Sequence, residues 1–268
     1  MSALLSVEHV AVRFGGLVAI ADLHFDVRPG EIVSLIGPNG AGKTTAFNVM
    51  TGFLKPSGGE VRFRGTGLRG LAPHAIARLG LARTFQRTSV FPDDTVFDNV
   101  MIGLHRQGAS LARAPLLDAV LGRAGASERT LRERAAALLD RVGLSARADE
   151  KAGSLSYGEQ RLVGIALALA TDPAMLLMDE PVSGMNASET HAVVQLVRRI
   201  RDDGVTVLLV EHDMPMVMEI SDRIVVLNYG RLIAEGPPAA IRTDPAVIEA
   251  YLGQGSAARQ AATLLAHA

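Results

Sequence analysis

Apolar residues alternate with polar or small residues near the start of the chain, a pattern that predicts half-buried strands. The alternation covers 10–14 and again 23–27, just before the turn sequence RPG. A run rich in β-branched residues, 32–36, predicts a strand buried on both faces. It leads into GPNGAGKTT, after which helical periodicity covers 44–53. We therefore expect a strand–loop–helix unit here.

The middle of the chain loses the strand pattern and becomes helical. The clearest segment is ERTLRERAAALLDRVG, whose apolar residues share one helical face and whose Gly143 ends the helix. We interpret about 88–158 as an inserted helical lobe. Beyond it, the pattern predicts buried strands over 174–178 and 205–210 on either side of a helix over 189–201.

A hairpin is predicted close to the C-terminal end, where two apolar segments flank the turn sequence NYG. Buried strands that alternate with helices indicate an α/β fold with a mainly parallel sheet covered on both faces. A chain of 268 residues is long enough for one large domain or for a core with a smaller inserted lobe.

Composition narrows the classes of function. The formal net charge is −1, so no overall basic field attracts nucleic acid, and we expect no nucleic-acid partner. Cysteine is absent, which excludes disulfides and thiolate metal sites. We expect no signal peptide at MSALLSVEHV and no membrane helix, because no apolar run reaches roughly 18–20 residues. Any membrane role is then expected to depend on a partner.

The glycine-rich sequence matches the P-loop pattern, in which Gly37 is followed four residues later by Gly42-Lys43-Thr44. Glycines let backbone N–H groups turn towards phosphate oxygens, and a helix N-terminus adds partial positive charge. Lys43 is predicted to reach the β- and γ-phosphates, and the Thr44 hydroxyl to bind Mg²⁺. The alternative is a turn that only connects strand and helix. The predicted nucleotide-binding loop comprises Gly37, Pro38, Asn39, Gly40, Ala41, Gly42, Lys43, Thr44 and Thr45.

Three further polar residues follow predicted buried strands, where ligands bind in parallel α/β sheets. Asp179 is predicted to hold Mg²⁺, and Glu180 to orient or deprotonate the attacking water. His212 is predicted to contact the γ-phosphate. The alternatives are a turn marked by two acids and a structural histidine.

Two more sets of residues are candidates for the same site. Gln86 follows the predicted strand LARTF and can contact Mg²⁺ or the water, although a surface-loop glutamine is the alternative. Phe14 can stack on adenine, with Val18 beside it, and the competing interpretation of Phe14 is a core strand residue.

The sequence LSYGEQ precedes an apolar helical run. Ser156 and Glu159 have the spacing of a capping box, which needs no ligand. Taken in order, however, the aromatic strand, P-loop, glutamine, LSYGEQ, Asp-Glu pair and histidine resemble the ATP-binding-cassette (ABC) ATPases over about 4–253. LSYGEQ is similar to that family's signature, usually written LSGGQ.

The resemblance implies a P-loop NTPase cassette with a mainly parallel central sheet, an N-terminal antiparallel β subdomain and the helical lobe. It implies that Ser156, Gly158 and Glu159 contact ATP held by the P-loop of a second protomer, where the helix dipole favours the γ-phosphate. Within the signature the chain departs from the pattern at Tyr157, which replaces the first glycine, and at Glu159, which stands before Gln160. It also departs at Asn186 in SGMN, where the family usually has SALD.

A finer resemblance, to ATPase subunits of branched-chain amino acid importers, depends on RFGGLVAI, HAIARLGLARTFQ, VEHDMPMV, LNYGRLIAEG and VIEAYLG. It implies ATP and Mg²⁺ as cofactors, a second ABC ATPase subunit, integral membrane permease subunits and, indirectly, an external substrate-binding protein. It also implies a location on the cytoplasmic side of the cell membrane. The ABC domain is predicted over 1–253, with a loose helical or disordered tail over 254–268. Urea or amide importers, lipopolysaccharide exporters and non-transport ABC ATPases remain alternatives.

Overall fold

The computed structural model describes residues 2–84, 90–111 and 123–252. Gln86 and the tail 254–268 lie outside the described residues. The strands of the described residues are β1 (Leu5–Phe14), β2 (Leu17–Val27), β3 (Ile32–Ile36), β4 (Gly58–Phe63), β5 (Thr66–Gly67), β6 (Leu81–Arg83), β7 (Met175–Asp179), β8 (Thr206–Val210), β9 (Arg223–Asn228) and β10 (Arg231–Gly236).

The first helix begins at Lys43, within the P-loop sequence. The helices are α1 (Lys43–Met50), α2 (Pro73–Arg78), α3 (Val96–Leu111), α4 (Arg123–Arg141), α5 (Tyr157–Leu169), α6 (Ala187–Asp202), α7 (Met214–Ile220), α8 (Pro238–Thr243) and α9 (Pro245–Leu252). Short 3₁₀ turns cover Ser145–Arg147 and Ala152–Ser154.

The described strands form one sheet with the order β5-β4-β1-β2-β10-β9-β3-β8-β7-β6. Strands β3, β6, β7, β8 and β9 pair in parallel, whereas β1, β2, β4 and β5 form an antiparallel group. Every residue of β3, β7 and β8 is buried, as expected for parallel strands covered on both faces. The predicted α/β fold with a mainly parallel sheet and an antiparallel β subdomain is therefore confirmed.

The predicted elements agree with the observed ones to within a few residues. The first buried strand has the predicted bounds, and the hairpin forms as β9 and β10 around a turn in which Tyr229 and Gly230 both have positive φ. Helix α4 ends at Arg141, two residues before Gly143, whose φ is 77°. The first two strands are longer than predicted.

The chain divides into two compact units, Met1–Arg83 with Ala174–Ala268, and Thr84–Pro173. The predicted lobe over 88–158 falls inside the second unit, and the assignment of functional domains stays a prediction. In the first unit the core collects apolar residues from the sheet around Phe47 of α1, which is fully buried. In the second unit α3, α4 and α5 pack on one another.

Among the described residues, no helix is both long enough and apolar enough to span a membrane.

Helix α6 begins with a complete capping box, and this gives a prediction about stability. The Asn186 side chain accepts a hydrogen bond from the Glu189 N–H at 3.0 Å, and the Glu189 carboxylate accepts one from the Asn186 N–H at 2.8 Å. Replacing Asn186 with alanine should lower the free energy of unfolding by about 1 kcal/mol, measured by urea denaturation. Asn186→Asp keeps the acceptor and should unfold like the wild type. Equal stability of the alanine variant would contradict this role.

Candidate functional site

The P-loop connects the end of β3 to the first turn of α1 and packs closely against the backbone of neighbouring strands and turns. Gly37 has φ of 151°, and a Cβ there would lie 2.1 Å from the Leu227 carbonyl oxygen. Gly42 has φ of 106°, and a Cβ there would lie 2.9 Å from the Ala19 carbonyl oxygen. The Gly230 N–H donates to the Ala41 carbonyl at 2.9 Å. Only glycine fits at Gly37 and Gly42, because their contacts with neighbouring backbone leave no room for a Cβ. The binding of phosphate by this loop stays a prediction.

Lys43 lies at the start of α1 and its side chain folds over the loop. Its Nζ donates to the carbonyl oxygens of Gly37 at 2.6 Å and Pro38 at 3.1 Å. Burial lowers the pKa of Lys43, and the negative charges of Glu180 and Asp179 offset part of that effect. The ammonium is therefore held among the residues that the sequence analysis selected.

The remaining loop residues differ in exposure. Pro38 and Ala41 are buried, Asn39, Gly40 and Thr44 are exposed, and Thr45 is half-buried. The exposed Thr44 hydroxyl belongs to the first turn of α1, where the N-terminus of a helix favours negative ligands.

Asp179 is the last residue of β7 and is 4% exposed. Its Oδ2 accepts a hydrogen bond from Arg83 Nη2 at 2.8 Å. Arg83 also donates through Nη1 to Asn48 Oδ1 at 2.7 Å and Thr51 Oγ1 at 3.2 Å, and it stacks over the Phe47 ring. Sequence reasoning missed Arg83. Its signal was a charged residue within the predicted strand LARTF, but only the parallel pairing of Arg83 with Leu177 brings it to Asp179.

Glu180 and His212 lie beside each other beyond the ends of β7 and β8. Glu180 has φ of 49°, and its N–H donates to the Val210 carbonyl at 2.9 Å. Non-glycine residues rarely adopt this left-handed conformation. His212 Nδ1 lies 3.9 Å from Glu180 Oε1, and the His212 side chain is 63% exposed. A carboxylate and an imidazole therefore face the same space at the end of the sheet.

Glu211 is a second residue that the sequence analysis did not select. Its Oε1 accepts the Val182 N–H at 3.0 Å, and its Oε2 accepts the N–H groups of His212 at 3.0 Å and Asp213 at 3.4 Å. Burial raises the pKa of Glu211, and these N–H donors offset part of the rise. Glu211 thus joins the segment after Glu180 to the segment that carries His212. Its only sequence signal was a carboxylate between a buried strand and a candidate histidine.

Phe14 and Val18 flank the turn between β1 and β2. Their exposed fractions are 51% and 40%, and Leu17 between them is 66% exposed. Phe14 is therefore not a core residue, which was the competing interpretation. The hairpin presents an apolar surface to solvent that can cover one face of a flat aromatic ring.

The LSYGEQ sequence belongs to the second unit and begins α5. The Ser156 hydroxyl accepts the Glu159 N–H at 3.2 Å, and the Glu159 carboxylate accepts the Ser156 N–H at 2.9 Å. The bond from the Ser156 backbone is the largest reason why the pKa of Glu159 is lowered. Gly158 is buried. The capping box is confirmed, and the predicted ATP contacts of these residues stay a prediction.

Tyr157 is tied to the helix that it begins. Arg161 Nη2 donates to the Tyr157 hydroxyl at 2.8 Å, and the guanidinium lies 4.8 Å from the centroid of the Tyr157 ring. Both residues lie one helical turn apart on the same face of α5. These contacts fix the side chain of Tyr157, the residue that replaces a glycine of the family signature.

Comparisons with known proteins agree with this arrangement. A model of the ABC transporter family matches residues 20–183, and a model described as branched-chain amino acid ATP-binding cassette transporter matches 231–257. The high-affinity branched-chain amino acid transport ATP-binding protein LivG of Escherichia coli K12 is 46% identical over 252 residues, which cover 94% of this chain and 98% of LivG.

Solved structures give the same result for the fold. The ADP conformation of an ATP-binding cassette of an ABC transporter matches with a TM-score of 0.82 and 33% identity, covering 95% of this chain and all of that one. A dimeric cassette in a post-hydrolysis state with ADP and phosphate matches with a TM-score of 0.73 and 26% identity. The match covers 87% of this chain and 98% of that one. The chain therefore belongs to the ABC transporter family as one of its ATP-binding ATPase cassettes.

Proposed function

We propose that this chain is the ATP-hydrolysing subunit that powers an importer of branched-chain or other hydrophobic amino acids. ATP hydrolysis is supported above all by one observation. Close to one another, at the carboxyl ends of β3, β7 and β8, lie Lys43, Asp179, Glu180 and His212. The transport part is supported by the names of the relatives, above all LivG, and by the match over 231–257.

The P-loop N–H groups and Lys43 hold the β- and γ-phosphates in this proposal. The Glu180 carboxylate takes a proton from the attacking water as the water oxygen bonds to the γ-phosphorus and the bond to ADP breaks. His212, beside Glu180, contacts the γ-phosphate, and Phe14 and Val18 cover the adenine. Preorganisation of these groups supplies the acceleration, since phosphoryl transfer needs mainly positioning and charge stabilisation.

The donor set fits Mg²⁺, which prefers oxygen ligands and usually binds through one or two protein groups and substrate phosphates. The Asp179 carboxylate and the exposed Thr44 hydroxyl are the protein ligands in this proposal, with Gln86 as a third. When bound, the ion would neutralise charge on the phosphates. Arg83 fixes the orientation of the Asp179 carboxylate.

Ser156, Gly158 and Glu159 of this chain contact ATP held by the P-loop of a second ATPase subunit in this proposal, and the dimeric relative supports the pairing of two cassettes. Integral membrane permeases and, through them, an external substrate-binding protein complete the transporter. This assembly would hold the chain at the cytoplasmic side of the cell membrane.

The base role of Glu180 is tested by Glu180→Gln. This variant should bind ATP with an affinity close to that of the wild type and lose about 10²- to 10⁴-fold in turnover, measured as phosphate release. The matched control is Glu249→Gln, an exposed glutamate on α9, which should keep full turnover. Substantial turnover by Glu180→Gln would contradict the assignment.

The phosphate role of Lys43 is tested by ATP binding itself. Lys43→Ala removes the cation at the loop and should weaken ATP binding at least tenfold, measured by titration of a fluorescent ATP analogue. Lys55→Ala, an exposed lysine outside the P-loop, is the control. Unchanged affinity of Lys43→Ala would count against the P-loop assignment.

The Arg83–Asp179 pair gives a prediction about stability. Both side chains are at least nine-tenths buried, so Arg83→Met leaves a buried carboxylate without its partner and should lower the free energy of unfolding by about 3–5 kcal/mol. Adding Asp179→Asn removes that uncompensated charge, and the double variant should be more stable than Arg83→Met alone. Denaturant unfolding of the single and double variants measures the coupling. Additive effects would show that the pair is not coupled.

The transport assignment is tested by co-purification. The tagged Glu180→Gln variant is expressed in the native cell of this protein. The membranes are then solubilised in the presence of ATP and Mg²⁺, and the proteins that co-purify are identified. We expect multi-span permeases and a second cassette ATPase, and their binding protein would identify the transported molecule. Ribosomal proteins, DNA-bound factors or no membrane partner would overturn the transport reading and leave the ATPase chemistry intact.

A further inference from the structure

Three potential metal ligands meet on the β1–β2 hairpin, and none of them is among the residues assigned to the nucleotide site. His9 Nδ1 lies 3.0 Å from Asp22 Oδ1, and His24 Nδ1 lies 3.8 Å from the same oxygen. The two imidazole rings have centroids 5.2 Å apart. Within the described parts of the chain, this is the one group of three His, Asp or Glu residues whose ligand atoms all lie within 4.8 Å.

A β-bulge brings the third ligand to this surface. Val7 pairs with Phe25 and Val10 pairs with Leu23, so two residues of β1 lie opposite the single residue His24. Both Glu8 and His9 therefore point outwards, which the regular alternation of a strand does not allow.

The bulge is built into the sheet and does not depend on the histidine side chains. His9 has φ of 48°, and its carbonyl packs so closely on β4 that a Cβ at Gly59 would lie 2.2 Å from the oxygen. On the other side, the Asp22 backbone is fixed by its pairing with Arg231 of β10. The backbone positions of the three side chains are thus set before any ligand binds.

The donor set selects a class of ion. Two imidazole nitrogens and one carboxylate oxygen suit zinc and neighbouring divalent transition metals, whereas Mg²⁺ prefers oxygen ligands throughout. Zinc with bonds of about 2.0–2.2 Å separates its ligand atoms by about 3.4 Å. The two nitrogen–oxygen separations of 3.0 Å and 3.8 Å lie on either side of that value. Small side-chain rotations therefore suffice to bring the three ligand atoms around one ion. The side chains are about half to three-quarters exposed and free to make them.

We propose that His9, Asp22 and His24 form a binding site for one divalent transition-metal ion of the zinc class, with water completing its coordination. The ion replaces the proton that His9 Nδ1 shares with Asp22 and joins β1 to β2. This site is separate from the proposed magnesium ligands, and its existence does not depend on the proposed function.

The test uses the full chain without a polyhistidine tag, stripped with chelator and free of nucleotide. Equilibrium dialysis against Zn²⁺ in excess Mg²⁺ should give one tightly bound Zn²⁺ per chain. His24→Gln and Asp22→Asn should each weaken binding by at least the roughly 10- to 100-fold that loss of an outer-shell partner costs. His191→Gln, an exposed histidine on α6, is the matched control and should bind like the wild type.

Two further readouts make the result specific. Zn²⁺ should raise the thermal unfolding temperature of the wild type and of His191→Gln but not of Asp22→Asn. Bound Co²⁺ should give a visible absorption spectrum that His9→Gln abolishes. Equal Zn²⁺ affinity in the wild type, His24→Gln and Asp22→Asn would overturn the site. ATP binding by the same variants should be unchanged, so this outcome is distinguishable from failure of the ATPase proposal.

Discussion

The register of two parallel ladders fixes the relative positions of Lys43, Glu180 and His212 in the first unit. Val210 pairs with Leu35 of β3 on one side and with Asp179 of β7 on the other. The three strands therefore end at one level, and whatever follows them meets at one edge of the sheet. Lys43 follows β3 through the P-loop, Glu180 follows β7 and His212 follows β8. A shift of one residue in either ladder would reverse the faces and separate these groups.

At the same edge of the sheet, buried carboxylates are balanced by a guanidinium and by backbone N–H groups. Asp179 is almost fully buried beside Arg83, an arrangement that contributes little net stability but holds the carboxylate in a single orientation. Glu211 plays a comparable part on the other side of Glu180, where its two oxygens bind three backbone N–H groups. Residues proposed to act on ATP and residues that orient them are thus interleaved along short segments. The left-handed backbone at Glu180 is one cost of this arrangement.

Sequence patterns predicted the parallel core well because its strands are continuously apolar and its P-loop has a strict spacing. They predicted β1 and β2 only in part. Register shifts between Val7 and Val10 and between Val10 and Val12 break the alternation on which the prediction depends.

Arg83 and Glu211 were missed for a different reason. Their roles arise from partners far away in the chain, Asp179 in one case and Val182 in the other, and no local pattern encodes such contacts. The exposure of Phe14 likewise depends on where the hairpin turns, which hydrophobicity alone does not determine. The order of the motifs along the sequence indicated the family resemblance, whereas the geometry that joins them came from the sheet.

The start of α5 combines a structural and a proposed nucleotide role, and the two do not conflict. A helix begins with four N–H groups that lack partners within the helix, and the capping box of α5 accounts for two of them, those of Ser156 and Glu159. Glu159 adds a negative charge where the family signature has a neutral glutamine, and this charge opposes the proposed contact of the helix end with ATP. Arg147 Nε lies 3.4 Å from Glu159 Oε1 and offsets part of that charge, while Arg147 Nη1 lies 2.7 Å from Glu150 Oε1. The departure from the signature is therefore partly compensated at the same helix end, where the helix dipole also favours negative charge.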